Sequence, residues 1–445
     1  MINSKKTQRA EPAGLPVRRL VIEVIDQVLK AHQSLDDAFD NMTTLIRPSA
    51  KLDARDMALA KAIAQVFFRH KNTLEEIIES RCDQGLPSKS GPLKLILMTA
   101  AAQILHMDVA DHAAVDVAVT LTREDNRSAP YHTLVNAVLR RITREKLHVQ
   151  ASLDHVADTP EWMYTRWISA YGEKTAHALT QAHQQLAALD ISVKSDPQAW
   201  AKRLNAVVLP TGSLRLLTRD TPIPELDGFE DGAWWVQDVG ASLAAKILNP
   251  QKGERILDMC AAPGGKTAQL ATAGAHVVAL DRSEKRLKRL NDNMARLQLH
   301  VEVVVADGGK YQADPFDAVL LDAPCSATGT LRRHPEISWI RSQSDILKLA
   351  QTQSRLLDQA AHLVKKNGRL IYCTCSLERE EGEEQIASFL KRNPHFKREP
   401  IMPLAVAGLE HAITSHGDVR TLPSMTLGND IMGIDGFFIS RLVRL

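Results

Sequence analysis

The sequence predicts a doubly wound α/β domain over residues 236–445, preceded by an all-α domain over 1–150 and a small α/β connecting subdomain over 151–235. Three observations predict this. Up to about Glu145 apolar residues recur at helical spacing with little strand signal. Past Asp196-Pro197, short strand-like pieces alternate with turn chemistry such as Pro210-Thr-Gly212 and Pro222-Ile-Pro224. After Asn249-Pro250, apolar strand runs alternate with helical segments, the grammar of a parallel sheet covered on both faces. At 445 residues the chain is also too long for one core.

In the all-α region Leu20, Val24 and Val28 share a helical face, as do Leu59, Ile63 and Val66, and Leu134, Val138 and Ile142. The punctuation Gly85-Leu-Pro87-Ser88 and Ser90-Gly91-Pro92 splits these helices into two groups. A single helix is expected from Glu161 to Leu189 in the connecting subdomain. The parallel strands are expected at Arg255–Asp258, His276–Asp281, Val301–Asp307, Phe316–Asp322 and Arg369–Cys373. Gly436–Arg444 has no helix after it and is expected to enter the sheet antiparallel.

Composition excludes several classes. With 44% hydrophobic and 24% charged residues the chain is neither collagenous, disordered nor a disulfide scaffold. The polar start through Lys5-Lys6 has no apolar segment behind it, and Leu95–Leu105 is too short to span a bilayer, so no membrane role is expected. Five cysteines (Cys82, Cys260, Cys325, Cys373, Cys375) in so long a chain fit reduced thiols in the cytoplasm. A net charge of +2 neither demands nor excludes nucleic acid, which would need local basic patches. No metal is expected: the sixteen histidines form no His-Glu-x-x-His motif, and Cys373-x-Cys375 lacks zinc spacing and a second pair.

Four strand runs end in an acid: Asp258, Asp281, Asp307 and Asp322. Ligands of open α/β sheets bind outside the carboxyl ends of the strands, so these carboxylates should converge on one crevice. The bland reading of any one is that Asp suits turns and helix caps. The first strand runs into Cys260-Ala261-Ala262-Pro263-Gly264-Gly265-Lys266-Thr267, a small-residue loop that lets a ligand approach amides at a helix N-terminus. A phosphate loop would need glycine where Cys260 stands, and Gly-x-Gly-x-x-Gly is absent, so an adenosyl ligand without phosphates fits better. Asp281 is then placed for ribose hydroxyls and Asp307 lies near the adenine.

Asp322-Ala-Pro-Cys325 and Tyr372-Cys373-Thr-Cys375 put thiols at two strand ends. A buried cysteine is usually an inert small hydrophobe, a reading that a position facing a ligand crevice weakens. A helix starting near Arg379 could favour a Cys375 thiolate, which Glu378, Glu380, Glu381, Glu383 and Glu384 oppose.

Together, Asp258-Met-Cys260-Ala-Ala-Pro-Gly-Gly-Lys-Thr267, Asp322-Ala-Pro-Cys325-Ser-Ala-Thr-Gly329, Arg332-Arg333-His334-Pro335 and Thr374-Cys375-Ser376 resemble the Sun/Nop-type RNA cytosine methyltransferases over nearly the whole chain. The resemblance implies a Rossmann-like methyltransferase domain that forms 5-methylcytosine in small-subunit ribosomal RNA. It implies S-adenosylmethionine held by Cys260, Ala261, Ala262, Pro263, Gly264, Gly265, Lys266, Asp281, Asp307 and Asp322. It also implies Cys375 as nucleophile, Cys325 assisting release of the methylated base, and Asp322 on the cytosine edge. Cys373 matches no catalytic position in the pattern.

Ala102–Asp108, His112–Asp116 and Leu134–Arg141 resemble NusB, implying an RNA-binding appendage. Basic residues there (Arg140, Arg141, Arg144) and on the helix carrying Arg282, Lys285, Arg286, Lys288 and Arg289 are otherwise ordinary solvated faces. With aromatics at 4%, phosphate contact and RNA shape should dominate affinity over base stacking. Two rivals remain open: an amino-group methyltransferase, which needs no thiol, and a catalytically silent RNA-binding assembly factor.

Overall fold

The structure, a computed structural model, describes residues 14–45, 52–152, 154, 156–428 and 431–445. The polar N-terminal stretch through Lys6 lies outside the described residues. The chain forms two compact units, one of residues 1–161 with 333–341 and one of 162–332 with 342–445.

The first unit is helical: α1 (Leu15–Ala31), α2 (Leu35–Leu45), α3 (Ala54–Arg69), α4 (Lys71–Glu79), α5 (Leu93–His106), α6 (Asp111–Glu124) and α7 (His132–Ala151). An Asp53/Asp56 capping box starts α3 by satisfying amides that the first turn leaves free. The expected break at Gly85–Pro92 falls between α4 and α5. In α5 eleven successive-face residues from Leu93 to Leu105 are buried, so it is the central helix around which the others pack. Its one long polar core side chain, Gln103, accepts from Arg18 Nε (2.9 Å) and donates to Thr99 O (2.9 Å), so no polar group is stranded there.

The second unit opens with α8 (Glu161–Tyr171) and α9 (Glu173–Gln184), two helices where the sequence reading expected one. Gly172 separates them at φ +81°, a left-handed backbone that interrupts the helix at little cost only because glycine has no Cβ. A four-stranded antiparallel sheet in the order β2-β3-β1-β4 follows: β1 (Asp190–Val193), helix α10 (Pro197–Arg203), β2 (Ala206–Val208), β3 (Leu214–Leu216) and β4 (Trp234–Val236). Ile191, Leu214 and Trp234 form its core. The buried pair Arg215–Asp190 (2.7 and 2.8 Å) is satisfied further by the Met432 and Gly433 carbonyls.

Then come α11 (Val239–Leu248), β5 (Arg255–Met259), α12 (Gly265–Thr272), β6 (His276–Asp281), α13 (Glu284–Arg296), β7 (Glu302–Val305) and β8 (Phe316–Asp322). After β8 the chain supplies α14 (Ile337–Ile340) to the first unit. It returns with α15 (Gln343–His362), β9 (Val364–Thr374), α16 (Glu383–Arg392), β10 (Phe396–Arg398), β11 (Val419–Arg420), β12 (Thr426–Leu427), β13 (Ile431–Met432) and β14 (Phe438–Arg444). The large sheet runs β10-β14-β9-β8-β5-β6-β7 with β11 beside β14. Strands β5 to β9 are parallel and β14 pairs antiparallel with β9, as expected.

The apolar runs are continuous because alternate residues serve opposite cores. Ile256, Leu320 and Ile371 face α11, while Leu257, Leu321 and Leu370 face α15 and α16. Strand order reverses between β5 and β8, which opens a crevice at their carboxyl ends.

Residues 333–341 pack into the helical unit with specific contacts. Ile340 joins its core, Trp339 Nε1 donates to Phe68 O (2.7 Å), Gln65 Nε2 donates to Arg333 O (3.3 Å), and Leu35 N donates to the buried Glu336 carboxylate (3.2 Å). Lys71 Nζ lies 4.6 Å from the centre of the Trp339 ring.

Candidate active site

The loop Cys260–Gly264 leaves β5 at the point of reversal, with Cys260 at φ +62° and Gly264 at φ +103° before α12. A Cβ at Gly264 would meet Leu290 and Met294 of α13 at 3.0 and 3.2 Å, so glycine lets the loop lie against that helix. Arg286 donates to Ala262 O and Asn293 Nδ2 donates to Pro263 O (3.0 Å), which anchors the loop from the same side.

The four strand-end acids occupy different environments. Asp258 is sealed beneath the loop, accepts from Thr267 Oγ1 at 2.6 Å, and is pushed up to about 7 by burial. It therefore anchors the first turn of α12 and, like the buried Asp281, presents almost no surface to solvent. Asp281 accepts from Ser283 N (2.9 Å) and Ala262 N (3.4 Å) and pairs with Arg286 at 3.3 Å. Asp307 is exposed at the end of β7, and its hydrogen bond from Arg355 (3.0 Å) holds its carboxyl below the usual range. Asp322 accepts from Lys266 Nζ at 2.7 Å. Burial opposes the charge of Lys266, but Asp322 outweighs it and holds the ammonium above its ordinary range.

Asp322 and Cys373 are register partners on β8 and β9, and the Cys373 thiol lies 3.5 Å from Asp322 Oδ1. Cys373 is wholly buried in the core beneath α11. Three residues beyond Asp322 and two beyond Cys373 the chain turns, bringing Cys325 Sγ within 3.5 Å of Cys375 Sγ. The hydrogen bond with Cys375, then burial, pushes the Cys325 thiol well up. Cys260 is pushed up to about 12 by burial, with Asp281 and Asp322 adding to it, which makes it an inert wall.

The helix expected near Arg379 begins instead at Glu383, after one tight turn over Arg379–Glu381. Most of the acids expected to oppose a thiolate are partnered. Arg166 binds Glu378 and Glu380, each at 2.6 Å, and Arg420 binds Glu383 at 2.7 Å. Glu381 is held differently. Fully buried, it accepts from Ser326 N (2.9 Å), Ser326 Oγ, Ser376 Oγ (2.5 Å) and Gln353 Nε2 (2.9 Å). The sequence reading counted Glu381 only among the acids opposing a thiolate. The signal that could have found it is the doubled Cys-Ser pair, since a hydroxyl following each thiol needs a partner.

Arg332, in the motif after Cys325, is also buried, and it pairs with Asp435 at 2.9 Å. Among the described residues no group of three or more His, Cys, Asp or Glu is placed to hold a metal, and no helix is long and apolar enough to cross a membrane.

Comparison with known proteins agrees with this architecture. Residues 15–144 match the NusB family, and residues 245–443 match the family described as 16S rRNA methyltransferase RsmB/F. The ribosomal RNA small subunit methyltransferase B of Pasteurella multocida is 34% identical, covering 99% of this chain and 98% of its own. That of Cronobacter sakazakii is 32% identical, covering 97% and 99%. The crystal structure of PH0851 superimposes with a TM-score of 0.73 over 98% of this chain and 99% of its own, at 24% identity, a likeness of fold. With relatives of this similarity along nearly its full length and both family models matched in order, the chain belongs to the RsmB/F family of ribosomal RNA small-subunit methyltransferases.

Proposed function

We propose that the protein methylates carbon 5 of a cytosine in small-subunit ribosomal RNA, with Cys375 as covalent nucleophile and Cys325 as the thiol that completes the reaction. The observation that carries this reading is the 3.5 Å approach of the two thiols beside the Asp322 strand end. An amino-group methyltransferase has no use for paired thiols. Carbon 5 of cytosine does, because it becomes nucleophilic only after a thiolate adds to carbon 6.

S-adenosylmethionine, when bound, supplies the methyl group. The chemistry of the residues present fits it: backbone amides at the start of α12 and the Asp281 and Asp307 carboxylates, which follow the carboxyl ends of β6 and β7, would hold its adenosyl part. The loop from Cys260 to Lys266, with Asp322, would complete the cradle.

A thiol proton shared between Cys325 and Cys375 at 3.5 Å would stabilise negative charge on the Cys375 sulfur when Cys325 carries it. Cys375 Sγ adds to carbon 6, and carbon 5 gains the methyl. The carbon 5 proton then leaves toward Cys325, the electron pair of that C–H bond restores the ring double bond, and the C6–S bond breaks to release Cys375 as thiolate. Before that step Cys325 gives its own proton to solvent water, so that it accepts the carbon 5 proton as a thiolate and one proton is released in each turnover. Asp322, which accepts from Lys266, would hold the exocyclic amine or ring nitrogen 3 of the base. The NusB-like helical unit would bind RNA, largely through phosphate contacts.

Digesting RNA methylated by the purified protein tests the reading: 5-methylcytosine supports it, and an N-methylated base removes it. No transfer to any ribosomal RNA would favour a silent assembly factor.

A further inference from the structure

Glu381 sits where the two thiol-bearing turns meet, and its contacts bracket both cysteines. On one side Ser326, which follows Cys325, donates both N–H and Oγ–H to the carboxylate. Gln353, which donates to the same carboxylate, also donates to the carbonyl of Pro324, which precedes Cys325 (3.0 Å). On the other side Ser376, which follows Cys375, donates to the carboxylate at 2.5 Å, and Thr374, which precedes it, donates to the Glu381 carbonyl at 3.2 Å. Tyr372 OH ties the strand below to Gln353 (3.1 Å) and to Glu381 O (2.8 Å).

We propose that Glu381 is a positioning residue that sets the separation of Cys325 from Cys375 by gripping the residues on both sides of each. The proposal rests on the covalent reading above. A buried carboxylate is a costly way to fill space, since a well-packed apolar side chain of similar volume is often as stable or more so. What the carboxylate adds is direction: its two oxygens accept from turns fifty residues apart at once. The neighbouring acids do not share this geometry, because Arg166 and Arg420 draw Glu378, Glu380 and Glu383 away from the thiols. A shift of about 1 Å between reacting groups can cost on the order of 100-fold in rate, so a rigid link between the turns has kinetic value.

The test compares Glu381→Gln, Ser326→Ala, Ser376→Ala and the pairwise combinations in the full-length protein, using a transcribed small-subunit ribosomal RNA fragment and S-adenosylmethionine. Glu381→Gln keeps the shape but replaces one accepting oxygen with a donor. Its kcat should fall roughly 10- to 100-fold while KM for RNA and the cofactor Kd stay within about twofold. Each serine variant should lose kcat as well, and in the Glu381→Gln background should lose less than about twofold more, because the link is already cut. Wild-type kcat in Glu381→Gln overturns the proposal, as do losses that simply multiply or a matching loss of cofactor affinity. If Glu381→Gln lacks a cooperative melt, the two serines decide alone: losses that multiply in Ser326→Ala/Ser376→Ala count against a shared link and non-multiplying losses support it. Cys375→Ala is run alongside. Full turnover in that variant overturns the covalent reading and this proposal together, whereas a dead Cys375→Ala beside a fully active Glu381→Gln overturns only the positioning role.

Discussion

Cys325 Sγ and Cys375 Sγ lie 3.5 Å apart, yet the two thiols are not equivalent. Cys325 is half-buried, and its hydrogen bond with Cys375, then burial, pushes its thiol well up. Cys375→Ala should abolish methylation and form no covalent RNA adduct. Cys325→Ala should lose turnover yet accumulate an adduct, seen as a slow protein–RNA band on a denaturing gel and lost in the double variant. An adduct in Cys375→Ala that needs Cys325 would reverse the assignment.

Lys266 and Asp322 form a partly enclosed ion pair at 2.7 Å. Asp322→Ala strands an ammonium that is 11% exposed, at a cost of about 3 to 5 kcal/mol in urea unfolding. Asp322→Ala/Lys266→Met should recover part of that stability because no unpaired charge remains. A double variant no more stable than Asp322→Ala would show that the pair is not what the single change breaks.

Asp258 gives a pH signature. Its folded value, about 7, lies above the ordinary 3.8, so the folded protein keeps a proton that the unfolded chain has released. Its contribution is fully present below about pH 4 and is lost as pH rises to about 7, a change of roughly 4 kcal/mol by the linkage relation. Unfolding free energies of wild type and Asp258→Asn, measured from pH 4 to 8, should therefore shift in favour of Asn as pH rises. A constant difference would mean that Asp258 ionises normally.

Asp281→Ala should weaken S-adenosylmethionine by about 1 to 3 kcal/mol, read by calorimetry. Asp281 also accepts from the Ala262 and Ser283 amides, so the melting temperature must be followed in parallel. An unchanged Kd removes Asp281 from the cofactor site.

Deleting residues 1–152 takes away the Phe68 carbonyl and the core that receive Trp339 and Ile340. The residues proposed to hold the cofactor all lie between 260 and 322, so cofactor affinity should persist. Turnover and RNA affinity should fall, and mild proteolysis should cut near residues 333–341. Equal loss of cofactor binding in a folded truncation would refute this separation.

Much of this was legible in the sequence because local pattern carried it. Runs such as Phe316–Asp322 announced central strands. The helix over 161–189 was misread at Gly172, where one residue's backbone freedom outweighed the surrounding helical periodicity. Asp258 and Asp281 both end strands and are both buried, and only their folded partners, Thr267 for one and Arg286 with the Ala262 and Ser283 amides for the other, distinguish their environments. Glu381 was hidden among five acids because its partners, Ser326 and Ser376, come together only once β8 and β9 pair. The placement of 333–341 among the helices has no local signature, since Trp339 and Ile340 read as any short apolar stretch.

That placement orders the protein's synthesis. Trp339 meets Phe68 across 271 residues of chain, and Glu336 meets Leu35 across 301. The helical unit emerges from the ribosome first, but its last packing pieces are translated only after β5 to β8 have been made. A nascent chain stalled before residue 333 would therefore carry helices α1 to α7 without Ile340 in their core, and the N-terminal unit would be completed only after β5 to β8 have been made.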